Sequence, residues 1–540
     1  MTSIRANVSR RGLLGWTAAG GAALATPAAA LFGRPVVETR QGRVRGAAVD
    51  NGTLVFKGIP YAAPPVGELR FAPPKSPVAW TGTRDAMAFG HTAIQNPSPS
   101  SVNPTSELGK ALQQVFPARA DVEAQSEDCL YLNVWTRRLS GKKPVMVWFH
   151  GGGFAYGSGQ WPMYDGANLA ERDVVVVSVN HRLSVFGYLD LPEVEGSGNA
   201  GMLDLVAALE WVRENIAAFG GDPGNVTIFG ESGGGAKVSY LLAMPRASGL
   251  FHKAIVQSGP GVRALPRDRA AGLRADLYKE LGLAEGDIAG LRAAPWDKVL
   301  AAARAAEARA PGAGFDRSGF SPVVDGDVLP AQPWDPRAPD TARDVPVLIG
   351  INRDEMTLFM ASAPWFGRLD EAGLEKMAAG MLGEKAPAVL AALKVDFPDD
   401  NPTYRATHLG TYGRMFAGSV QIAERKAAQG GAKAYMYLLE WGTPVGPFRA
   451  AHTLEIPLVF DTVETSRVLT GPGPAPQLMA KQMSAAWLAF ARTGDPNTPV
   501  LPNWPAYEAG KRATMVFNLE SRVVEDLYSA TRRAVTSGAG

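Results

Sequence analysis

Along the chain, short unbroken apolar runs alternate with longer stretches of helical spacing. Val145-Met146-Val147-Trp148-Phe149, Val174 to Val179, Val226-Thr227-Ile228-Phe229, Ala254-Ile255-Val256 and Val345 to Ile349 are such runs, rich in β-branched residues. They are apolar at nearly every position, not at every second one, which suits strands covered on both faces. Met202 to Ala218 and Leu478 to Arg492 repeat their apolar residues at helical intervals. Strands alternating with helices predict an α/β fold, a mostly parallel central sheet with helices on both faces. Asp268 to Ala310 and Leu369 to Ala392 are Ala-rich and helical, and read as insertions above the sheet, where pockets form. Asn96 to Gln125 is polar and Pro/Ser-rich and reads as a long surface loop. No repeat at solenoid or propeller periods and no flexible linker divides the chain, so residues 31–540 read as one elaborated domain.

The first thirty residues follow a different rule. Arg5, Arg10 and Arg11 are their only charges, an apolar stretch runs from Gly12 to about Leu31, and Ala28-Ala29-Ala30 precedes its end. A positive start, an apolar middle and a small-residue end are the parts of an export signal. Ser9-Arg10-Arg11 followed by Leu13-Leu14 resembles a twin-arginine signal, so the expected location is periplasmic or secreted, in a bacterium. Gly, Thr and Pro27 dilute the segment as a membrane anchor, and no later segment approaches the length of a span. No stable membrane anchor is expected after cleavage.

Composition narrows the function. The chain has 540 residues, 46% of them hydrophobic and 20% charged, enough for a large core. A formal charge of +2 argues against nucleic acid as a partner. Cleavage near Ala30 takes Lys+Arg from 54 to 51 against 52 acids, a net charge of −1, so long-range steering of a charged substrate is weak. The single cysteine, Cys129, excludes an internal disulfide and a cysteine zinc site.

Chemistry concentrates where Val226 to Phe229 runs into Gly230-Glu231-Ser232-Gly233-Gly234 and a helical pattern, Ala236 to Met244, follows. A Gly-x-Ser-x-Gly turn between strand and helix lifts a serine oxygen to the top of a sheet, and its neighbours must be small because the turn is crowded. A serine needs a base, and the base an orienting acid. In α/β-hydrolases the order along the chain is serine, acid, histidine. Of six histidines only His408 and His452 come late enough. His408 lies in a helix-like stretch, whereas His452 follows a likely strand at Tyr435 to Trp441, so His452 is the candidate base. The candidate acid follows Val347 to Asn352, and spacing leaves Asp354 and Glu355 both open. His150-Gly151-Gly152-Gly153-Phe154 follows the strand Val145 to Phe149. Glycines there let backbone N–H groups approach an oxyanion, with Gly152, Gly153 and Gly233 as candidate donors. A phosphate loop would need a Lys-Ser/Thr step that this segment lacks. His150 is expected to structure its loop and not to act as the base.

These residues carry a resemblance. The chain resembles the type B carboxylesterase/lipase family, the cholinesterase-like branch of the α/β-hydrolases, from about Arg43 to Asp526. The matching motifs include Phe56 to Ala62, Pro64 to Gly67, Leu69-Arg70-Phe71, Glu127 to Trp135, Asn215 to Pro223, the nucleophile segment, and Trp487 to Arg492 with Gly494-Asp495-Pro496. The resemblance implies an α/β-hydrolase fold and a serine carboxylic-ester hydrolase working through an acyl-enzyme on small to medium uncharged esters. It implies Ser232 as nucleophile, Glu355 as acid, His452 as base and Gly152, Gly153 and Gly233 as the oxyanion hole. No metal or organic cofactor is required. Arg70–Glu127 and Arg182–Asp204 become structural ion pairs.

Three departures matter. Gly233 replaces the family's usual alanine and is expected to loosen the turn. No cysteine stands upstream to pair Cys129, which becomes a buried free thiol. The loop from Asn96 to Ser126 has no tryptophan for a choline cation, which argues against quaternary-ammonium esters. Phe154, Trp161, Trp365 and Phe366 are candidate substrate-pocket residues, each also readable as core packing. The alternatives are the same triad acting on amides, carbamates or polymeric esters, and a non-catalytic binding protein on the same fold.

Overall fold

A computed structural model describes residues 34–95, 124–310 and 319–536. The expected export signal and most of the Asn96–Gln125 loop therefore lie outside the described residues. Two strands, β1 (Val36–Thr39) and β2 (Gly42–Arg45), form a small sheet with β5 (Thr83–Asp85). The other eleven build the main sheet. They are β3 (Ala47–Ala48), β4 (Leu54–Pro60), β6 (Tyr131–Thr136), β7 (Lys143–Phe149), β8 (Val175–Val179), β9 (Gly221–Glu231), β10 (Lys253–Gln257), β11 (Val347–Asn352), β12 (Ala434–Leu439), β13 (Thr514–Phe517) and β14 (Arg522–Val524). Their spatial order is β14-β13-β12-β11-β10-β9-β7-β8-β6-β4-β3. The block from β13 to β8 is parallel, and antiparallel strands flank it on both sides. This is the expected α/β-hydrolase architecture.

The unbroken apolar runs are explained by the two faces. Val145, Val147 and Phe149 enter one core, and Met146 and Trp148 enter the other. Ile349 and Leu348 divide in the same way on β11. Successive strand side chains point to opposite faces, so a sheet buried on both sides needs apolar residues throughout. Helix Ala200–Asn215 covers one face with Met202, Leu205, Leu209 and Val212. Helix Pro474–Thr493 covers the other with Met479, Met483, Trp487 and Phe490, at helical spacing. Gly494, at φ 78°, ends that helix in the left-handed conformation a side chain disfavours.

Boundaries differ from the sequence reading in instructive places. The run Met202 to Ala218 tightens into a 3-10 turn at Ile216–Phe219. Strand β9 starts at Gly221, before its apolar run, because Gly221 pairs with Lys143 and the ladder resumes at Val226 after an irregularity. The two Ala-rich insertions hold helices Arg267–Leu281, Ile288–Ala293 and Trp296–Arg309, then Glu371–Leu382 and Ala386–Asp396. Arg70–Glu127 and Arg182–Asp204 pair in low-dielectric surroundings, the latter at 2.6 Å. Cys129 is a buried free thiol, its pKa raised by burial.

Candidate active site

Parallel strands end on the same edge, and four of them bring the candidate residues there. The chain leaves β7 for β8 on one side and crosses back to β9 on the other. Loops after β7 and β9 therefore diverge at a switch in strand order, the place where open α/β sheets form clefts. The candidate oxyanion loop follows β7, Ser232 follows β9, Glu355 follows β11 and His452 lies beyond β12.

Ser232 sits between β9 and helix Gly233–Leu241 at φ 56°, ψ −121°. That conformation costs a residue with a side chain about 1–3 kcal/mol. The turn is held by the Ser232 N–H donating to the Gln257 carbonyl at 2.8 Å. Three glycines start the helix, and each abuts backbone. A Cβ at Gly233 would lie 2.2 Å from the Gly153 oxygen, one at Gly234 2.0 Å from the Phe149 oxygen, and one at Gly235 2.7 Å from the Gln257 oxygen. The expectation that Gly233 loosens the turn is therefore corrected: no room remains around it, and the missing side chain is what lets Gly153 close in. Gly152 and Gly153 have φ of 89° and 63°, which expose backbone N–H groups at little cost only in glycine.

The other half of the site is built from side chains. Glu355, fully buried, accepts from the Asn352 N–H at 2.8 Å and from His452 Nδ1 at 2.5 Å. The opposite ring nitrogen, Nε2, faces the turn that carries Ser232, 3.2 Å from Glu231 Oε1. Among the described residues that oxygen has no hydrogen-bond partner. Burial works against a charge on the imidazole. The carboxylates of Glu231 and Glu355 outweigh it and hold His452 above the ordinary range, at about 9. Burial in turn raises Glu231 well above a normal carboxyl, with His452 pulling it back. Glu455 is raised to about 7, by burial and then by the Glu355 charge. It accepts from Asn352 Nδ2 at 2.5 Å and from Gln257 Nε2 at 3.3 Å.

Asp354 and His408 take other places. Asp354 accepts from the Ala450 N–H at 3.2 Å and from Arg353 Nε at 2.9 Å, and its own N–H donates to the Ala450 carbonyl. It anchors the loop that carries His452 and does not touch the imidazole. His408 contacts Asp400 at 2.7 Å and stacks on Phe397 with ring centroids 3.7 Å apart. His150 contacts the Gly151 carbonyl at 2.8 Å and stacks on His181. Burial pushes its imidazole down to about 3, so it stays neutral and structural.

The four candidate pocket aromatics separate. Phe154 is half-buried against Tyr188 and Tyr240, beside the oxyanion loop. Trp161 stacks on Tyr164, whose hydroxyl pKa is raised by burial first and then by the Glu231 charge. Trp365 and Phe366 pack on each other, and Phe366 on Tyr404, in the helical insertion. Sequence reasoning passed over Phe359, whose ring lies 5.0 Å from that of His452, and over Glu231, Glu455 and Lys237. The last three carried a signal: a charge inside an otherwise apolar or glycine-rich segment is costly unless it has a task. Among the described residues, no group of His, Cys, Asp and Glu could hold a metal ion, and no helix is long and apolar enough to cross a membrane.

Comparison with known proteins gives consistent matches. The model of the Carboxylesterase family matches residues 33–535. A para-nitrobenzyl esterase of Bacillus subtilis (strain 168) is 36% identical over 517 residues, 94% of this chain and 99% of its own. A carboxylesterase structure from Geobacillus stearothermophilus superposes with a TM-score of 0.79 at 40% identity, covering 93% of this chain and 100% of that one. An esterase from anaerobic Clostridium hathewayi, which can hydrolyze aliphatic aromatic polyesters, superposes with a TM-score of 0.76 at 34% identity, covering 93% and 98%.

Proposed function

We propose, for a chain that belongs to the carboxylesterase family and is a serine ester hydrolase, that Ser232, His452 and Glu355 are its catalytic triad. His452 Nε2 takes the proton from Ser232 Oγ as the oxygen attacks the ester carbonyl. Glu355 holds Nδ1–H and stabilises the imidazolium that forms. N–H groups of Gly152, Gly153 and Gly233 receive the negative oxygen, and the dipole of helix Gly233–Leu241 adds to them. His452 then passes its proton to the departing alcohol. Water attacks the acyl-enzyme by the same route and regenerates Ser232.

The observation that supports this most is the 2.5 Å contact from Glu355 to His452 Nδ1, which turns Nε2 toward the nucleophile turn. Ser232→Ala should abolish hydrolysis of a short p-nitrophenyl ester and labelling by a fluorophosphonate. Turnover retained by the purified variant would contradict the assignment.

We propose small to medium uncharged esters as the substrate class, because the mature chain is near neutral and the loop lacks a cation-binding tryptophan. Polymeric esters are the second reading, favoured by the relative that hydrolyzes polyesters. Turnover of p-nitrophenyl esters graded by acyl length, beside release from a polyester film, separates the two. Phe154 and Trp161 would line the acyl or alcohol pocket.

We also propose export by the twin-arginine route, on the strength of Arg10-Arg11 and the apolar stretch after them. Replacing both arginines by lysine should leave the activity in the cytoplasmic fraction; unchanged export would sink this.

A further inference from the structure

A lysine lies beneath the oxyanion loop, in the first turns of the nucleophile helix. Lys237 is completely buried. Its Nζ donates to the Gly153 carbonyl at 2.8 Å and to the His150 carbonyl at 3.1 Å. It pairs with no carboxylate among the described residues; burial lowers its pKa to about 7, and the Glu231 charge pulls it back up. His150 and His181 also face it, and both are held neutral, first by burial and then by the lysine. Taking an ammonium out of water is costly, so one satisfied mainly by two carbonyls is an expensive fixture. Those two carbonyls are not arbitrary. His150 O belongs to the peptide before Gly151, and Gly153 O to the peptide after Gly153. They bracket the two peptides whose N–H groups belong to Gly152 and Gly153.

The same helix face holds the loop from a second point. Gly233 lies one turn before Lys237, and its missing side chain is the space that Gly153 occupies. Residues four apart on a helix share a face, so the glycine admits the loop and the lysine ties it down. We propose that Lys237 is a positioning residue for ester hydrolysis, clamping the oxyanion loop against Gly233 so that its N–H groups meet the developing oxyanion. In its protonated form Lys237 also sets a positive charge behind those donors, where it favours the charged intermediate over the neutral ester. The inference rests on the proposed oxyanion loop and triad.

The test compares Lys237→Met, Lys237→Gln, Gly233→Ala and the double variant Gly233→Ala/Lys237→Met in the full chain. The readouts are kcat and KM on a short p-nitrophenyl ester, and the affinity of an alkyl trifluoromethyl ketone. Ser232 Oγ adds to the ketone carbonyl carbon as its proton passes to His452, and the C=O bond opens to a negative oxygen, so the adduct reports the oxyanion site. A single direct oxyanion donor is worth about 100–1000-fold in kcat. Lys237→Met acts one step removed and should lower kcat by about 10–100-fold, with KM within about threefold and ketone affinity falling in parallel. Lys237→Gln keeps a neutral donor and should recover part of the loss. Gly233→Ala should lower kcat and ketone affinity in wild type, and by a smaller factor once Lys237→Met has released the loop.

The inference is overturned if Lys237→Met leaves kcat within twofold, if the loss falls on KM with ketone affinity unchanged, or if the two penalties simply multiply. Should Lys237→Met not fold, Lys237→Gln and Gly233→Ala decide by the same readouts. Unchanged kcat and ketone affinity in both would then overturn it. Turnover surviving in Ser232→Ala would instead remove the underlying site assignment.

Discussion

The two halves of the site are made of different material. The nucleophile side, at the ends of β7 and β9, is backbone: a strained serine, three glycines pressed on carbonyls, and one lysine beneath. The acid–base side, at the ends of β11 and β12, is side chains: Glu355, His452 and Glu455 joined through Asn352, with Asp354 tying down the loop. The first half depends on atoms that are absent, and apart from those Lys237 donates, its hydrogen bonds come from the backbone. The second depends on charges that are present, each shifting the others. Adding a methyl group should therefore damage the first half, while removing a charge without changing shape should damage the second.

Glu355→Gln is the sharpest way to break the acid–base half. The volume barely changes, but the negative partner of His452 is lost, and kcat should fall by about 1000–10000-fold at unchanged thermal stability or nearly so. A loss below tenfold would remove Glu355 from the triad. Gly234→Ala probes the other half. Its Cβ would meet the Phe149 oxygen at 2.0 Å, an atom fixed in β7. Overpacking of this kind costs about 1–3 kcal/mol, so a lower melting temperature should accompany an activity loss of tenfold or so. An unchanged melting temperature would show that the turn can yield.

Glu231→Gln has the subtlest effect and joins the halves, because Glu231 belongs to the nucleophile segment and acts on the base. His452 is raised to about 9, with Glu231 the leading carboxylate behind that rise. The neutral, proton-accepting imidazole therefore dominates only at high pH, and kcat/KM should rise with pH up to that range. Removing the Glu231 charge lowers the imidazole pKa, so the acid limb should move down by about one pH unit or more. A limb that stays in place, or moves up, would mean that Glu231 is neutral in the working enzyme.

The sheet was legible because burial on both faces forces apolar residues at nearly every position of β7, β8 and β11. Ser232 was legible because a turn this crowded leaves a local glycine pattern. Asp354 and Glu355 could not be told apart by spacing: both follow β11, and what separates them is contact with Ala450 and His452, nearly a hundred residues away. Trp365 and Phe366 could not be assigned by spacing, since an aromatic in a helical insertion looks alike whether it meets substrate or a neighbouring ring; they pack on each other, and Phe366 on Tyr404. Gly233 misled for a related reason. Freedom is an intrinsic property of glycine, but the packing of Gly153 against it is not written near it in the chain.

The lone cysteine bears on how this protein matures. Cys129 is sealed in the core with its thiol held protonated, so no covalent step has to wait for an oxidant. No disulfide has to form for the fold to be complete, and reducing and oxidising surroundings leave it equally without cross-links.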